Sequence, residues 1–139
     1  MTSAKSTSAK PRFFSHYDKP LWDSIEAGKL AIQECSACGH YRYPPGACCP
    51  KCLSTEANWK AISGKGRILS WTTFHRQYLP EYPPPVTCVA VQLDEGPIMI
   101  GNIDSGERDK LRLDVEVELF YGEHPSGFSI PRFKFTNAG

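Results

Sequence analysis

Two Cys-x-x-Cys pairs, Cys35-Ser36-Ala37-Cys38 and Cys49-Pro50-Lys51-Cys52, flank a ten-residue segment (39–48), and this spacing constrains the fold more than any other feature. Each pair aims two thiolates at one ion from a tight turn, and two pairs complete the tetrahedral four-sulfur set that structural zinc prefers. Gly39 directly after the first pair suits a turn whose N–H groups fold back toward the sulfurs. A redox dithiol needs one such pair in a βαβ setting, and neither the duplication nor the context fits it. An iron–sulfur cluster also accepts four thiolates, but the paired spacing suits a zinc ribbon better. Cys48 beside Cys49 leaves a choice of register; Cys49 is preferred because Cys49-Pro50-Lys51-Cys52 repeats the first turn, leaving Cys48 as a spare thiol. The expected zinc ligands are therefore Cys35, Cys38, Cys49 and Cys52. A site with four sulfurs has no open position for water or substrate, so its zinc should stabilise rather than catalyse. His40 reads as a surface residue of the ribbon.

The remainder of the chain has a mainly β pattern. Residues 1–12 are small and polar and are expected to be a disordered tail. Asp18-Lys19-Pro20 reads as an N-cap with Pro in the first turn, Leu21, Trp22 and Ile25 form an apolar stripe, and Gly28 stops the helix. A helical segment is thus expected over 13–29, with Phe13, Phe14, Tyr17 and Trp22 packing on the core or on a partner. Residues 30–57 form the metal-binding ribbon and 58–139 a small barrel of about five strands. The predicted strands are Arg67–His75, Thr87–Leu93, Pro97–Ile103, a period-two run from Leu111 to Phe120, and Phe128–Phe135. Asp94-Glu95-Gly96 supplies hairpin-turn chemistry. Pro80 and Pro83-Pro84-Pro85 make the connection before the second barrel strand long and stiff, as loops that carry function often are.

In their order, these segments resemble a known family. The Cys-x-x-Cys-Gly segment, Tyr43-Pro44-Pro45, Cys49-Pro50-Lys51-Cys52 and Trp59 are similar to the rubredoxin-like zinc ribbon of the acyl-CoA-associated zinc-ribbon/OB-fold proteins, long catalogued as a domain of unknown function. Gly64 to His75 resembles that family's first barrel strand, and Asp94-Glu95-Gly96-Pro97, Gly101-Asn102 and Pro131-Arg132-Phe133 resemble its later landmarks. The likeness spans about residues 13–135. Asp114 departs from it, standing where a glycine-containing turn is expected. The resemblance implies a short N-terminal helix, a rubredoxin-like ribbon and a five-stranded OB-fold barrel. It further implies a small partner of thiolase-superfamily enzymes or hydratases, supporting thiolysis, retro-aldol cleavage, synthesis or acyl transfer on acyl-CoA thioesters. Catalytic residues would lie on the partner, with two copies of each subunit, and this chain would help shape the CoA passage.

Charge and composition bear on the competing readings. With 16 Lys and Arg against 15 Asp and Glu among 139 residues, the formal charge is +1. That near-neutrality disfavours phosphate-backbone binding, so nucleic acid is not the expected partner. Single-strand binding is nonetheless the alternative function, since OB barrels and zinc ribbons do such work and Trp71, Phe74, Tyr78 and Tyr82 are candidate stacking platforms. A third reading, thiol redox or zinc sensing, requires reactive thiols and an easily removed metal. Binding CoA phosphates requires cations, for which Lys65, Arg67, Arg76, Arg132 and Lys134 are the candidates. His75 is placed for a general base but has no acid or nucleophile in sequence reach. Cys88 reads as a small core hydrophobe. The chain is expected to be inactive alone. Without a secretory signal or a membrane-length apolar run, the cytoplasm is the expected location.

Overall fold

The computed structural model describes Pro11 and residues 13–136. Helix α1 (Asp18–Glu26) is followed by β1 (Ala31–Cys35), β2 (Tyr41–Arg42), β3 (Ala57–Ala61), β4 (Lys65–Phe74), β5 (Val86–Leu93) and β6 (Ile98–Ile103). A 3-10 turn (Ser105–Lys110), β7 (Glu116–Glu123) and β8 (Ser129–Phe135) complete the chain. The tail expected over 1–12 lies outside the described residues except for Pro11.

Three strands in the order β2-β1-β3 make the ribbon, and five in the order β6-β5-β4-β7-β8 make the barrel. All pairings are antiparallel. The mainly β architecture with one short helix, a zinc ribbon and an OB-fold is thus present. The end strands β6 and β8 meet where Gly101 lies under Phe133; a Cβ at 101 would sit 2.7 Å from the ring. At the other side of the sheet, Gly66 lets β4 pass close to β5, since a Cβ there would meet the Gln92 carbonyl oxygen at 2.5 Å. A bulge at Leu69 shifts the register of β4 on β5, an irregularity of the kind that bends a strand and increases its twist.

One apolar cluster joins helix, ribbon and barrel: Leu21 and Ile25 from α1, Leu30 and Ile32, and Ile68, Val89, Val91, Leu93, Met99, Val117 and Phe133. Tyr121 of β7 accepts the Leu30 N–H through its hydroxyl at 2.7 Å, and Glu26 of α1 accepts the Ser129 N–H at 3.1 Å. These bonds fix α1 and the ribbon against the β7–β8 edge, since a polar group beside the core must find a partner.

Two local readings are corrected. Tyr17, not Asp18, is the N-cap, and its side chain makes no capping bond; Asp18 accepts instead from the backbone N–H groups of Phe14 and Ser15. The period-two run starting at Leu111 enters the sheet only at Glu116. Leu111 is half-buried, Leu113 is exposed, and Asp114 has φ 64, a left-handed turn that Asp tolerates better than most residues. Asp114 therefore performs the turn expected of a glycine, and alternation alone did not reveal that the chain there is bending. Gly28 ends α1 with φ 76, as expected.

Candidate functional site

The two cysteine turns close on each other above the ribbon sheet. Cys35 ends β1, and the Gly39 N–H donates to the Cys35 carbonyl at 2.9 Å; the Leu53 N–H donates to the Cys49 carbonyl at the same distance. These matching turns bring the sulfurs of Cys35, Cys38, Cys49 and Cys52 within 4.8 Å of one another. Cys35 and Cys52 stand 3.5 Å apart and Cys38 and Cys49 3.6 Å. A tetrahedral zinc with Zn–S of about 2.3 Å implies sulfur–sulfur edges of about 3.8 Å, so the four donors fit the ion in number, softness and size. Cys35 and Cys49 are buried, while Cys38 and Cys52 are exposed.

The local field favours thiolates unequally. The Cys35 thiol is lowered to about 6, first by hydrogen bonding from the Cys38 backbone and then from that of Ala37, against the cost of burial. At Cys49 burial opposes ionisation, and backbone donors at Cys52 and Lys51 outweigh it to leave the thiol lowered. Cys52 has a backbone donor at Ser54 favouring its thiolate, but the neighbouring Cys35 sulfur, burial and the sulfurs of Cys38 and Cys49 together push it up to about 12. Three other sulfurs crowd the last proton, a conflict that a dication eases by bonding to all four sulfurs and offsetting half of their combined thiolate charge. Cys48 is exposed and is not part of the four-sulfur group.

The cationic candidates do not converge. Arg67 is held by Glu116 at 3.0 Å and by the Asp114 carbonyl at 3.1 Å, and Lys134 pairs with Glu118 at 3.7 Å. Lys65 lies beside Arg67. Arg76 and Arg132 border two adjoining cavities, of about 380 and 270 Å³, that share Tyr82, Val86 and Asn102 beneath the Pro-rich loop. Among the described residues neither makes an ion pair. Arg132 lies over the Phe120 ring at 5.7 Å and Arg76 over Tyr78 at 5.9 Å. His75 is exposed past the end of β4.

Cys88 is not a core residue. It is half-buried, its Sγ accepts from the Asn102 amide at 3.5 Å, and it lines the larger cavity with Phe74, Tyr78 and Leu79. Burial pushes its thiol up. The reason is strand parity: Thr87, Val89, Val91 and Leu93 are buried, so Val86, Cys88, Ala90 and Gln92 face outward. Their cross-strand partners are Phe74, Thr72, Ser70 and Arg67 on β4 and, for the last three, Asn102, Ile100 and Ile98 on β6. The result is an outward sheet face whose one charged residue among these positions is Arg67, at its end and paired with Glu116, and on which Ile98 and Ile100 are 51% and 64% exposed. Uncharged faces with exposed aliphatic residues mark interaction surfaces.

Sequence reasoning missed two groups. Tyr82, His124, Phe128 and Trp22 form an aromatic row from the Pro-rich loop to α1, with centroid separations of 5.6, 4.4 and 5.9 Å. Arg42 and Gln33 are buried side by side in the ribbon. Each row member is far from the next in sequence or irregularly spaced, so neither group has a periodic signal.

The model of the ChsH2 rubredoxin-like zinc ribbon domain matches residues 22–57, and that of the ChsH2 C-terminal OB-fold domain matches 59–120. Together the two cover most of the chain in the observed order. The chain belongs to the ChsH2 zinc-ribbon/OB-fold family. Among relatives of this family member, a probable enoyl-CoA hydratase alpha subunit of Thermomonospora curvata is 29% identical over 96% of this chain and 42% of its own length. A DUF35 domain-containing scaffold protein of Pyrococcus furiosus is 32% identical over 58% of this chain and 60% of its own. The 3-oxo-4,17-pregnadiene-20-carboxyl-CoA hydratase alpha subunit of Mycobacterium tuberculosis is 28% identical over 76% and 33%. The chain thus spans less than two thirds of the length of these curated relatives. A solved structure of the Ltp2-ChsH2(DUF35) aldolase contains a chain 27% identical to this ChsH2-type protein, with a TM-score of 0.82 over 92% of this chain and all of that one. No helix among the described residues is long and apolar enough to cross a membrane.

Proposed function

We propose that this protein is a zinc-binding accessory subunit of a thiolase-like complex that makes or breaks carbon–carbon bonds on acyl-CoA thioesters, by thiolysis or retro-aldol cleavage. The observation that carries this reading is the match, over the whole of that chain, to a ChsH2(DUF35) component of an aldolase. Cys35, Cys38, Cys49 and Cys52 hold one structural zinc, which locks the two cysteine turns together and leaves no coordination position for substrate. Within this reading, the ribbon expected over 30–57 extends through β3 to Ala61, and the barrel begins with β4 at Lys65.

The outer face of β4, β5 and β6 away from Arg67 docks the partner, because the uncharged positions bearing Ile98, Ile100 and Phe74 lose little by leaving water. Arg76 and Arg132, without an ion pair among the described residues and beside the joined cavities under the Pro-rich loop, take the part of CoA that reaches this subunit. Lys65 and Arg67 contribute less, since Arg67 is already committed to Glu116. The nucleophile and the acid–base groups belong to the partner, and the complex holds two copies of each subunit.

The test is co-expression with a thiolase-superfamily protein encoded beside this chain. A stable complex that turns over an acyl-CoA, with no steady turnover by the isolated chain, is expected. Turnover by the isolated chain overturns the accessory role, and failure of the two to associate overturns the partner assignment.

A further inference from the structure

A second site lies between the ribbon and the β5–β6 turn. Arg42, the last residue of β2, is 4% exposed. Its Nη1 donates to the Gly46 carbonyl at 3.1 Å, whereas Nε and Nη2, both screened from solvent, have no partner among the described residues. The Gly46 N–H donates to Gln33 Oε1 at 2.8 Å, and Gln33 is the cross-strand neighbour of Arg42. The guanidinium is thus pinned at one corner. Its two idle donors share the edge that meets the paired oxygens of a carboxylate or phosphate through parallel hydrogen bonds.

Arg42 lines a cavity of about 400 Å³ with His40, Tyr41, Tyr43, Cys48 and Glu95, a volume in the range of small-molecule sites. It shares no lining residue with the cavities beneath the Pro-rich loop, so it is independent of the reading above. Removing a guanidinium from water without satisfying its donors is costly, and natural proteins leave few such groups without a functional reason. Glu95 does not supply the missing partner. Its Oε2 accepts the Ser63 N–H at 2.8 Å, its Oε1 has no partner among the described residues, and it forms no ion pair with Arg42.

We propose that Arg42 anchors an oxyanion site in this cavity, taking the terminal carboxylate or phosphate of a small organic ligand on its Nε–Nη2 edge. Tyr41 and Tyr43 flank the ligand body. Glu95 weakens binding of a bare anion and favours a ligand with a hydrogen-bond donor near its oxyanion.

The test is an amide NMR titration of the zinc-loaded full chain with inorganic phosphate in one arm, acetate in a second and chloride as the ionic-strength control. Saturable shifts confined to residues 40–46 and 95–97 are expected in at least one oxyanion arm, and the responding arm identifies the head group. Arg42→Lys, which keeps the charge and loses the fork, is expected to weaken binding roughly tenfold or more at unchanged zinc content. Glu95→Gln is expected to tighten it several-fold. Arg42→Gln repeats the first comparison without the charge. Chloride reproducing the shifts, no saturation in either oxyanion arm, or undiminished binding by a folded Arg42→Lys chain overturns the proposal.

Discussion

Cys48 and Cys49 are adjacent thiols with opposite surroundings. Cys49 is fully buried within the sulfur group and Cys48 is exposed outside it. Cys48→Ser is therefore expected to retain one zinc per chain and Cys49→Ser to lose it, as measured by metal analysis after gel filtration. Retention by Cys49→Ser with loss by Cys48→Ser would reverse the register. Crowding sets a second residue-scale expectation. Gly101→Ala places a methyl against the Phe133 ring, and Gly66→Ala places one against the backbone oxygen of Gln92. A buried ring shifts more readily than a strand backbone, so Gly101→Ala is expected to cost about 1–3 kcal/mol and Gly66→Ala more. Urea unfolding midpoints check the order. At Asp114, with φ 64, Gly is expected to be tolerated and Val to destabilise by about 1–2 kcal/mol, on the same measurement.

At the scale of elements, the strands with one buried face were legible and the bends between them were not. The β5 strand was expected, yet its alternate residues divide between the core and the outer face; Cys88 fell on the wrong side of that division for a core residue. Conversely, alternation from Leu111 looked like strand, but those residues wrap through a turn, with Asp114 and Val115 bonded to the Ile68 backbone, before joining the strand ladder at Glu116. A period of two reports which way side chains point, whereas membership of a sheet needs a neighbour's hydrogen bonds. The outer face yields a prediction of its own. Ile100→Lys is expected to leave the monomer's thermal midpoint within a few degrees and to weaken partner association strongly in a pull-down, because a buried unpaired charge at an interface is costly. Undiminished association would place the partner on another face. Helix α1 is held by Leu21 and Ile25 against the core, and Ile25→Ala is expected to cost about 2–5 kcal/mol in chemical unfolding.

Over the whole molecule, the core is continuous from α1 through the ribbon to the barrel, with Leu30 and Ile32 joining Ile68 and Phe133 in one cluster. Loosening the ribbon should therefore reach the barrel. Zinc removal by a chelator is expected to lower the thermal midpoint of the entire chain, including barrel signals such as Trp71 fluorescence, since metal binding that requires the folded site adds to folding stability. A barrel transition unmoved by chelation would mean that the two parts unfold separately.

The four-sulfur group and the order of ribbon and barrel are written in local sequence. Four cysteines at fixed spacing can be read locally, because a Cys-x-x-Cys turn is made by neighbouring residues, and the half-buried strands declare themselves by alternation. Folding alone fixes which cations border the same cavities, that Cys88 faces one of them, that an aromatic row ties the Pro-rich loop to α1, and that Arg42 is buried with an idle edge. Those facts depend on contacts between residues such as Tyr82 and His124, or Gln33 and Arg42, brought together from separate segments. No local pattern records such pairs, since their energy arises from burial and pairing that exist only once the chain has folded.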